Sequence, residues 1–316
     1  MRGRSEGGIG MAQINHFDHG WFTPAISYLL SVLGSLLGLI CAVRFRSAPS
    51  AGWRTWWLSL AAVAIGGTGI WTMHFVAMLG FSVAGTQIRY DVGLTAASAI
   101  IAVVTVGLGL IVALLGEQAR RIRIVLGGLL AGLGVAAMHY TGMAAMRLNG
   151  DITYERSRVA ESVVIAVVAA TVAIWLTLTV TKPAVIFVSA LVMGVAVNGM
   201  HFTGMSAMSV HETQPTGPLA GTAASSLLIP IGLAVVFGVF GLVYALAAAP
   251  TEEDRAAAAY LEARRQGLSA ATPPPAAQPR TPRHSHGTEA PPVPQQPTRQ
   301  SRLGGSNWTY RDRTPR

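Results

Sequence analysis

Long apolar runs alternate with short polar connectors along this chain, and the runs set the elements. Seven of them, residues 25–43, 56–78, 94–115, 122–146, 159–180, 184–208 and 227–247, are apolar stretches of helical membrane-spanning length. A helix needs roughly 20 such residues to cross a hydrocarbon core, whereas a transmembrane barrel shows shorter alternating segments. The pattern therefore predicts an all-α integral membrane protein with seven transmembrane helices. Its organisation reads as an extracytoplasmic N-terminal segment over 1–24, the membrane domain over 25–247 and a cytoplasmic Pro/Arg-rich tail over 248–316. Residues 251–267 are rich in helix formers and can extend the last helix, but the tail beyond is proline-dense and predicts disorder. Pro273–Pro275 and Pro291–Pro294 have polyproline character, and a solvated role is expected for them.

Composition sharpens this reading. Only 12% of residues are charged and 51% are apolar, against about 25% charged in ordinary soluble domains, which excludes a soluble globular enzyme. The net charge of +9 does not point to nucleic acid, because the basic residues form short clusters between apolar runs rather than one patch. Arg44, Arg46, Arg54, Arg120, Arg121, Arg123 and Lys182 fall on one side, with the arginine-rich tail. Arg89, Arg147, Arg156 and Arg158 fall on the other, joined by Arg2 and Arg4 if translation starts at Met1 rather than Met11. The positive-inside rule then places the N-terminus outside and the C-terminus in the cytoplasm. The first run is too long for a signal-peptide core and lacks a clear cleavage site, so it is expected to stay. A single cysteine, Cys41, permits no intrachain disulfide.

Internal repetition carries the chemistry. The second run contains Met73-His74-Phe75-Val76-Ala77-Met78, the fourth Met138-His139-Tyr140-Thr141-Gly142-Met143 and the sixth Met200-His201-Phe202-Thr203-Gly204-Met205. The histidines recur at hairpin spacing, so the domain reads as three helix pairs plus one helix, with every motif near the same membrane face. Gly67, Gly132 and Gly194 each stand seven residues before a histidine, nearly on its face, where they would let helices approach closely. Eight of the 11 methionines lie in these windows if Met146 and Met208 continue the helices, which makes chance clustering an inadequate account.

At about 100° per residue, a methionine four after a histidine shares its face, while one immediately before it is turned well away. Met78, Met143 and Met205 are thus better placed to join His74, His139 and His201 in one metal site than Met73, Met138 and Met200. Imidazole with thioether suits copper, above all Cu(I), and neutral ligands avoid the cost of a buried anion. Glu161 has no evident link to this set. Thr141 and Thr203 are candidates to orient an imidazole. His16, His19 and His211 are weaker ligand candidates in external segments, and His284 and His286 lie in the tail. Asn198 reads as an interhelical hydrogen-bonding residue, and Phe75, Tyr140 and Phe202 as structural aromatics.

The motif Met138-His139-Tyr140-Thr141 and its two variants resemble the MHYT family of bacterial integral-membrane sensor domains, as do His16-Phe17, Gly20-Trp21 and Thr23-Pro24. The first copy departs most, with Val76-Ala77 where the others have Thr-Gly. The resemblance implies seven helices with the motifs near the outer face, a copper site, and sensing of oxygen, carbon monoxide or nitric oxide. Relatives of this kind carry cyclic-dinucleotide or kinase output domains. No such domain is recognisable here, so the chain is expected to be no enzyme and to signal through a cytoplasmic partner or through the tail. Copper transport or delivery would use the same ligands but needs a further Met/His path, which the helices do not display. Haem is a third reading, since His/His and His/Met are workable axial pairs, although three equivalent histidines fit a trigonal metal better.

Overall fold

The computed structural model describes residues 12–15, 18, 20–114, 118–212, 218–249 and 252–270. They contain seven helices long and apolar enough to cross a membrane: span 1 (Phe22–Arg46), span 2 (Ala51–Met78), span 3 (Val92–Leu114), span 4 (Arg120–Ala144), span 5 (Arg156–Thr179), span 6 (Pro183–Ser206) and span 7 (Ala224–Ala247). Each falls where an apolar run predicts it. The chain divides into two compact units, 1–250 and 251–316. The second unit contributes a helix, Glu252–Ala270, distinct from span 7 because bends at Ala248 and Ala249 end that span. Residues 1–11, His16, Phe17, His19 and the segment 271–316 with its prolines and histidines lie outside the described residues.

Spans 1 to 6 close into a ring, each touching the next and span 6 returning to span 1. Span 7 stands outside it. Only 11% of its most apolar window is buried, and Leu242 anchors it against Leu37 of span 1 and Ala64 of span 2. Small residues make the ring tight, as membrane helices require when lipid supplies no hydrophobic drive for association. Gly34 and Gly38 of span 1 form such a pair: a Cβ on Gly34 would lie 2.2 Å from the backbone nitrogen of Gly69.

Span 2 is not a uniform helix. Val63–Thr72 is π-helical, and the Thr72 hydroxyl donates to the Gly67 carbonyl at 3.0 Å. A π turn takes up an extra residue, and this corrects the expectation for Gly67. Gly66, eight before His74, makes the close approach instead, its Cβ position 2.7 Å from the Ala102 carbonyl of span 3; that of Gly67 is 3.7 Å from the nearest atom, a Val103 methyl. Gly132 meets Val167 of span 5 and Gly194 meets Val32 of span 1 with comparable closeness. In space it is span 1, not span 7, that packs against span 6 as spans 3 and 5 pack against spans 2 and 4.

All three motifs end on one side of the bundle, where short strands follow them. β1 (Ile14–Asn15) pairs with β2 (Ser82–Val83), β3 (Arg89–Tyr90) lies between β4 (Met146–Arg147) and β7 (Thr222–Ala223), and β5 (Gly150–Tyr154) pairs with β6 (Met208–Glu212), all antiparallel. Met146 and Met208 therefore sit on strands rather than on continued helices, because spans 4 and 6 end at Ala144 and Ser206. At the opposite end, Arg46 donates to the Thr177 and Val180 carbonyls and Arg120 to that of Leu178. Both arginines thereby satisfy carbonyls that the end of span 5 leaves free.

Candidate metal centre

The last turns of spans 2, 4 and 6 bring His74, His139 and His201 together on the axis of the ring. Their exposures are 2%, 0% and 1%, and they form the one group of three potential metal-binding side chains found among the described residues. Nδ1 of His74 lies 3.0 Å from Nδ1 of His201 and 3.1 Å from Nδ1 of His139. The rings are steeply inclined, at 74° to 90° to one another, with centroids 4.9 to 5.2 Å apart.

This arrangement poses a hydrogen-bonding problem. A neutral imidazole offers one proton or one lone pair at Nδ1, so His74 Nδ1 cannot serve two such contacts well. Three lone pairs facing one cation would meet the demand of all three nitrogens. The donor set is uncharged and buried, which suits a soft metal in a low-dielectric site.

The back edges of the rings are seated on glycine. Nε2 of His74 and Nε2 of His139 are buried without a hydrogen-bond partner. A Cβ built on Gly142 would come within 2.3 Å of the first, and one on Gly204 within 2.3 Å of the second. The glycine of each later motif thus backs the histidine of the motif before it. Sequence reasoning noted the Thr-Gly pair but assigned its chemistry to threonine. Among the described residues neither Thr141 nor Thr203 hydrogen-bonds an imidazole through its hydroxyl, so the pair acts at this site through its second member.

The methionines divide by side. Met78, Met143 and Met205 gather with Met146 and Met208 in a buried cluster that includes Phe81, Val83, Tyr90 and Val210 of the strand region. Met138 and Met200 belong to the cluster inside the bundle, and Met73 is fully buried as well. Met78, Met143 and Met205 thus lie in a different cluster from Met138 and Met200.

Three hydrogen bonds between side chains fix the motif helices to their neighbours: Trp71 Nε1 to Ser98 at 3.0 Å, Tyr140 with Ser162 at 2.6 Å, and Ser27 to Asn198 Oδ1 at 3.1 Å. Each ties spans 2, 4 and 6 to spans 3, 5 and 1. Asn198 is thus the hydrogen-bonding residue that its type predicts. The serines escaped the sequence reading, although Ser98 and Ser162 recur at nearly the repeat spacing.

Beyond the centre, Asp91 caps span 3 by accepting from the Leu94 amide at 3.0 Å and pairs with Arg147 at 3.1 Å. The Leu94 amide and then Arg147 hold its carboxyl below the usual range. Burial raises the Tyr90 phenol above its ordinary value. His211 stands on β6 opposite Asp151, and Glu161 pairs with Arg158, so neither joins the centre.

Residues 67–128, 132–190 and 194–259, more than half of the chain, match MHYT, a bacterial signalling protein N-terminal repeat. The bifunctional diguanylate cyclase/cyclic di-GMP phosphodiesterase MucR of Pseudomonas aeruginosa is 37% identical over 67% of this chain and 32% of its own length. The cyclic di-GMP phosphodiesterase NbdA of the same organism is 35% identical over 58% of this chain and 24% of its own length. The signaling protein YkoW of Bacillus subtilis is 33% identical over 49% and 20%. The chain thus spans about a third or less of these relatives. No solved structure matches it. Three family repeats on a seven-span fold establish that this multi-pass membrane protein belongs to the MHYT family of bacterial signalling proteins.

Proposed function

We propose that this chain is a non-enzymatic membrane sensor whose three-histidine centre holds copper and responds to a diatomic gas or to redox state. The carrying observation is the convergence of three buried Nδ1 atoms at contacts of 3.0 and 3.1 Å. His74, His139 and His201 would be the ligands, with Met78, Met143 and Met205 as the thioethers on the strand side. Copper, when bound, supplies a redox-active ion whose preferred geometry changes with oxidation state and ligation.

The chain's own residues supply the rest. Gly142 and Gly204 hold two imidazoles with Nδ1 inward, and the methionine cluster excludes water from the strand side. The Ser98, Ser162 and Ser27 hydrogen bonds couple the motif helices to spans 3, 5 and 1. In the proposed orientation the centre lies near the extracytoplasmic face of the bacterial membrane, and its state is read at the cytoplasmic ends by a signalling partner. The names of MucR and NbdA support a link to cyclic di-GMP signalling for that partner.

The other readings fit less well. Nitrogens 3.0 Å apart leave no room for a macrocycle between them, which disfavours haem. One turn deeper stand Ile70, Val135 and Val197, and the Met193 and Met200 thioethers in the same cavity wall bring no imidazole to carry a transported ion onward.

Metal content tests the proposal. Full-length protein purified in detergent is compared by mass spectrometry with a variant carrying His74→Ala, His139→Ala and His201→Ala. About one copper per chain that disappears in the variant supports the reading. No metal in either after Cu(I) reconstitution refutes it.

A further inference from the structure

The bundle interior a turn away from the histidines is not filled, although no histidine lines the space itself. One helical turn before each histidine stand Ile70, Val135 and Val197, so this layer lies about 6 Å along the helix axes from the imidazoles. The three residues line a cavity of about 40 Å³. A second cavity, also about 40 Å³, shares Ile65, Ile70, Val135, Ala170 and Ala173 with the first and continues to Leu110 and Thr177. Its Thr177 hydroxyl is already committed to the Ile174 carbonyl at 2.6 Å.

Size and chemistry define the occupant. A water needs roughly 10–15 Å³ and two to four polar partners; the space is ample but the walls are overwhelmingly apolar. Drug-sized ligands need about 300 Å³ or more. A molecule of two heavy atoms without strong hydrogen-bonding needs fits both limits.

Access follows from burial. Ala169 and Ala173 of span 5 and Ala196 and Val197 of span 6 line the first cavity yet are only half-buried. The cavity therefore opens between these two spans toward the surrounding hydrocarbon, in which apolar gases dissolve readily. The strand side of the histidines, by contrast, is closed by the buried methionine and aromatic cluster.

We propose that this cavity pair is a docking site for an apolar diatomic molecule, reached from the bilayer between spans 5 and 6 and leading to the histidine centre. The site's occupancy stands on the cavity alone, while its role as an approach to the centre rests on the sensor reading.

Xenon separates the two. Full-length protein in detergent is examined by 129Xe NMR and by xenon-pressurised crystals, as wild type, as Ala170→Leu, which fills the wall common to both cavities, and as Val168→Leu, a lipid-facing control on the same span. Xenon between Ile70, Val135 and Ala170 in wild type and Val168→Leu but not in Ala170→Leu is the expected result. It should persist in the triple histidine variant, since no metal is required. No xenon there in wild type, or undiminished xenon in Ala170→Leu, overturns the site. In copper-loaded protein, Ala170→Leu should slow carbon monoxide association at least tenfold at unchanged copper content; an unchanged rate despite lost xenon overturns the route. A copper-loaded wild type that binds no carbon monoxide refutes the gas-sensing reading and the route, while the xenon result still decides the site.

Discussion

Adding one methyl group at Gly142 should disable the centre without touching a ligand. The new Cβ of Gly142→Ala would stand 2.3 Å from Nε2, 3.0 Å from Cδ2 and 3.4 Å from Cε1 of His74. Ordinary contact begins near the last of these values, so ring and helix must separate by about 1 Å, roughly twice the tolerance of a preorganised site. His74 has little room to yield, being 2% exposed and facing two further imidazoles. Overpacking of this kind costs about 1–3 kcal/mol, against a helix-propensity gain of up to ~1 kcal/mol for Gly→Ala. Relative to a clash-free Gly→Ala change the variant should be destabilised by about 1–3 kcal/mol and, because His74 is displaced, should lose metal affinity at least tenfold. Gly199→Ala provides the control: nothing lies within 4 Å of its Cβ position, so the same gain comes without a clash. Thermal unfolding and copper content would be measured for both variants in detergent, with size-exclusion profiles to verify folding. If Gly142→Ala keeps full copper and unfolds no earlier than Gly199→Ala, glycine backing is not what positions the ring.

Other consequences are as specific. Replacing Met78, Met143 and Met205 by leucine should lower Cu(I) affinity at least tenfold in a chelator competition titration, while leucine at Met138 and Met200 should not; equal effects would remove the thioethers from the ligand set. Gly34→Leu should abolish a monodisperse folded species on size exclusion, because its Cβ meets backbone at 2.2 Å and backbone cannot rotate away. Ser98→Ala leaves the Trp71 indole without its acceptor and should cost about 1–3 kcal/mol in unfolding measurements at unchanged metal content. The depressed folded-state pKa of Asp91 means that its contribution is present above the unfolded value, about 3.9, and is lost as pH falls through the lower folded value. A stability profile across that acid range should flatten in Asp91→Asn, and an unchanged slope would count against it.

Hydropathy made the seven spans legible because lipid imposes length and apolarity on every crossing helix. Motif spacing located the histidines at one depth, since a hairpin repeat returns the chain to the same face. Their convergence around the axis was not legible, because it depends on which helices touch, and that follows from glycine and serine contacts spread over the spans. The run-on of spans 4 and 6 to Met146 and Met208 was misleading for a related reason. Both residues are apolar and buried, but their backbones pair with Tyr90 and Tyr154 in strands, and hydropathy does not separate a buried strand from the end of a helix.

The three copies are alike in sequence but not in surroundings, and their differences collect in the first. The glycine seats run from His74 to Gly142 and from His139 to Gly204. One more step of the same cycle leads from His201 to position 77, where the chain has alanine. A Cβ already present there cannot repeat a 2.3 Å approach, so the third side is packed differently and the centre is two sides alike plus one. The same span carries the π-helical segment Val63–Thr72. Both departures have a common physical setting. Spans 4 and 6 each pack between two neighbours in the ring, but span 2 is flanked by spans 1 and 3 and also receives span 7 at Ala64. Gly34 of span 1 presses on Gly69 inside the π segment, while Gly66 presses on Ala102 across the other interface. The extra residue of the π segment lets span 2 meet these contacts while His74 keeps its place beside His139 and His201.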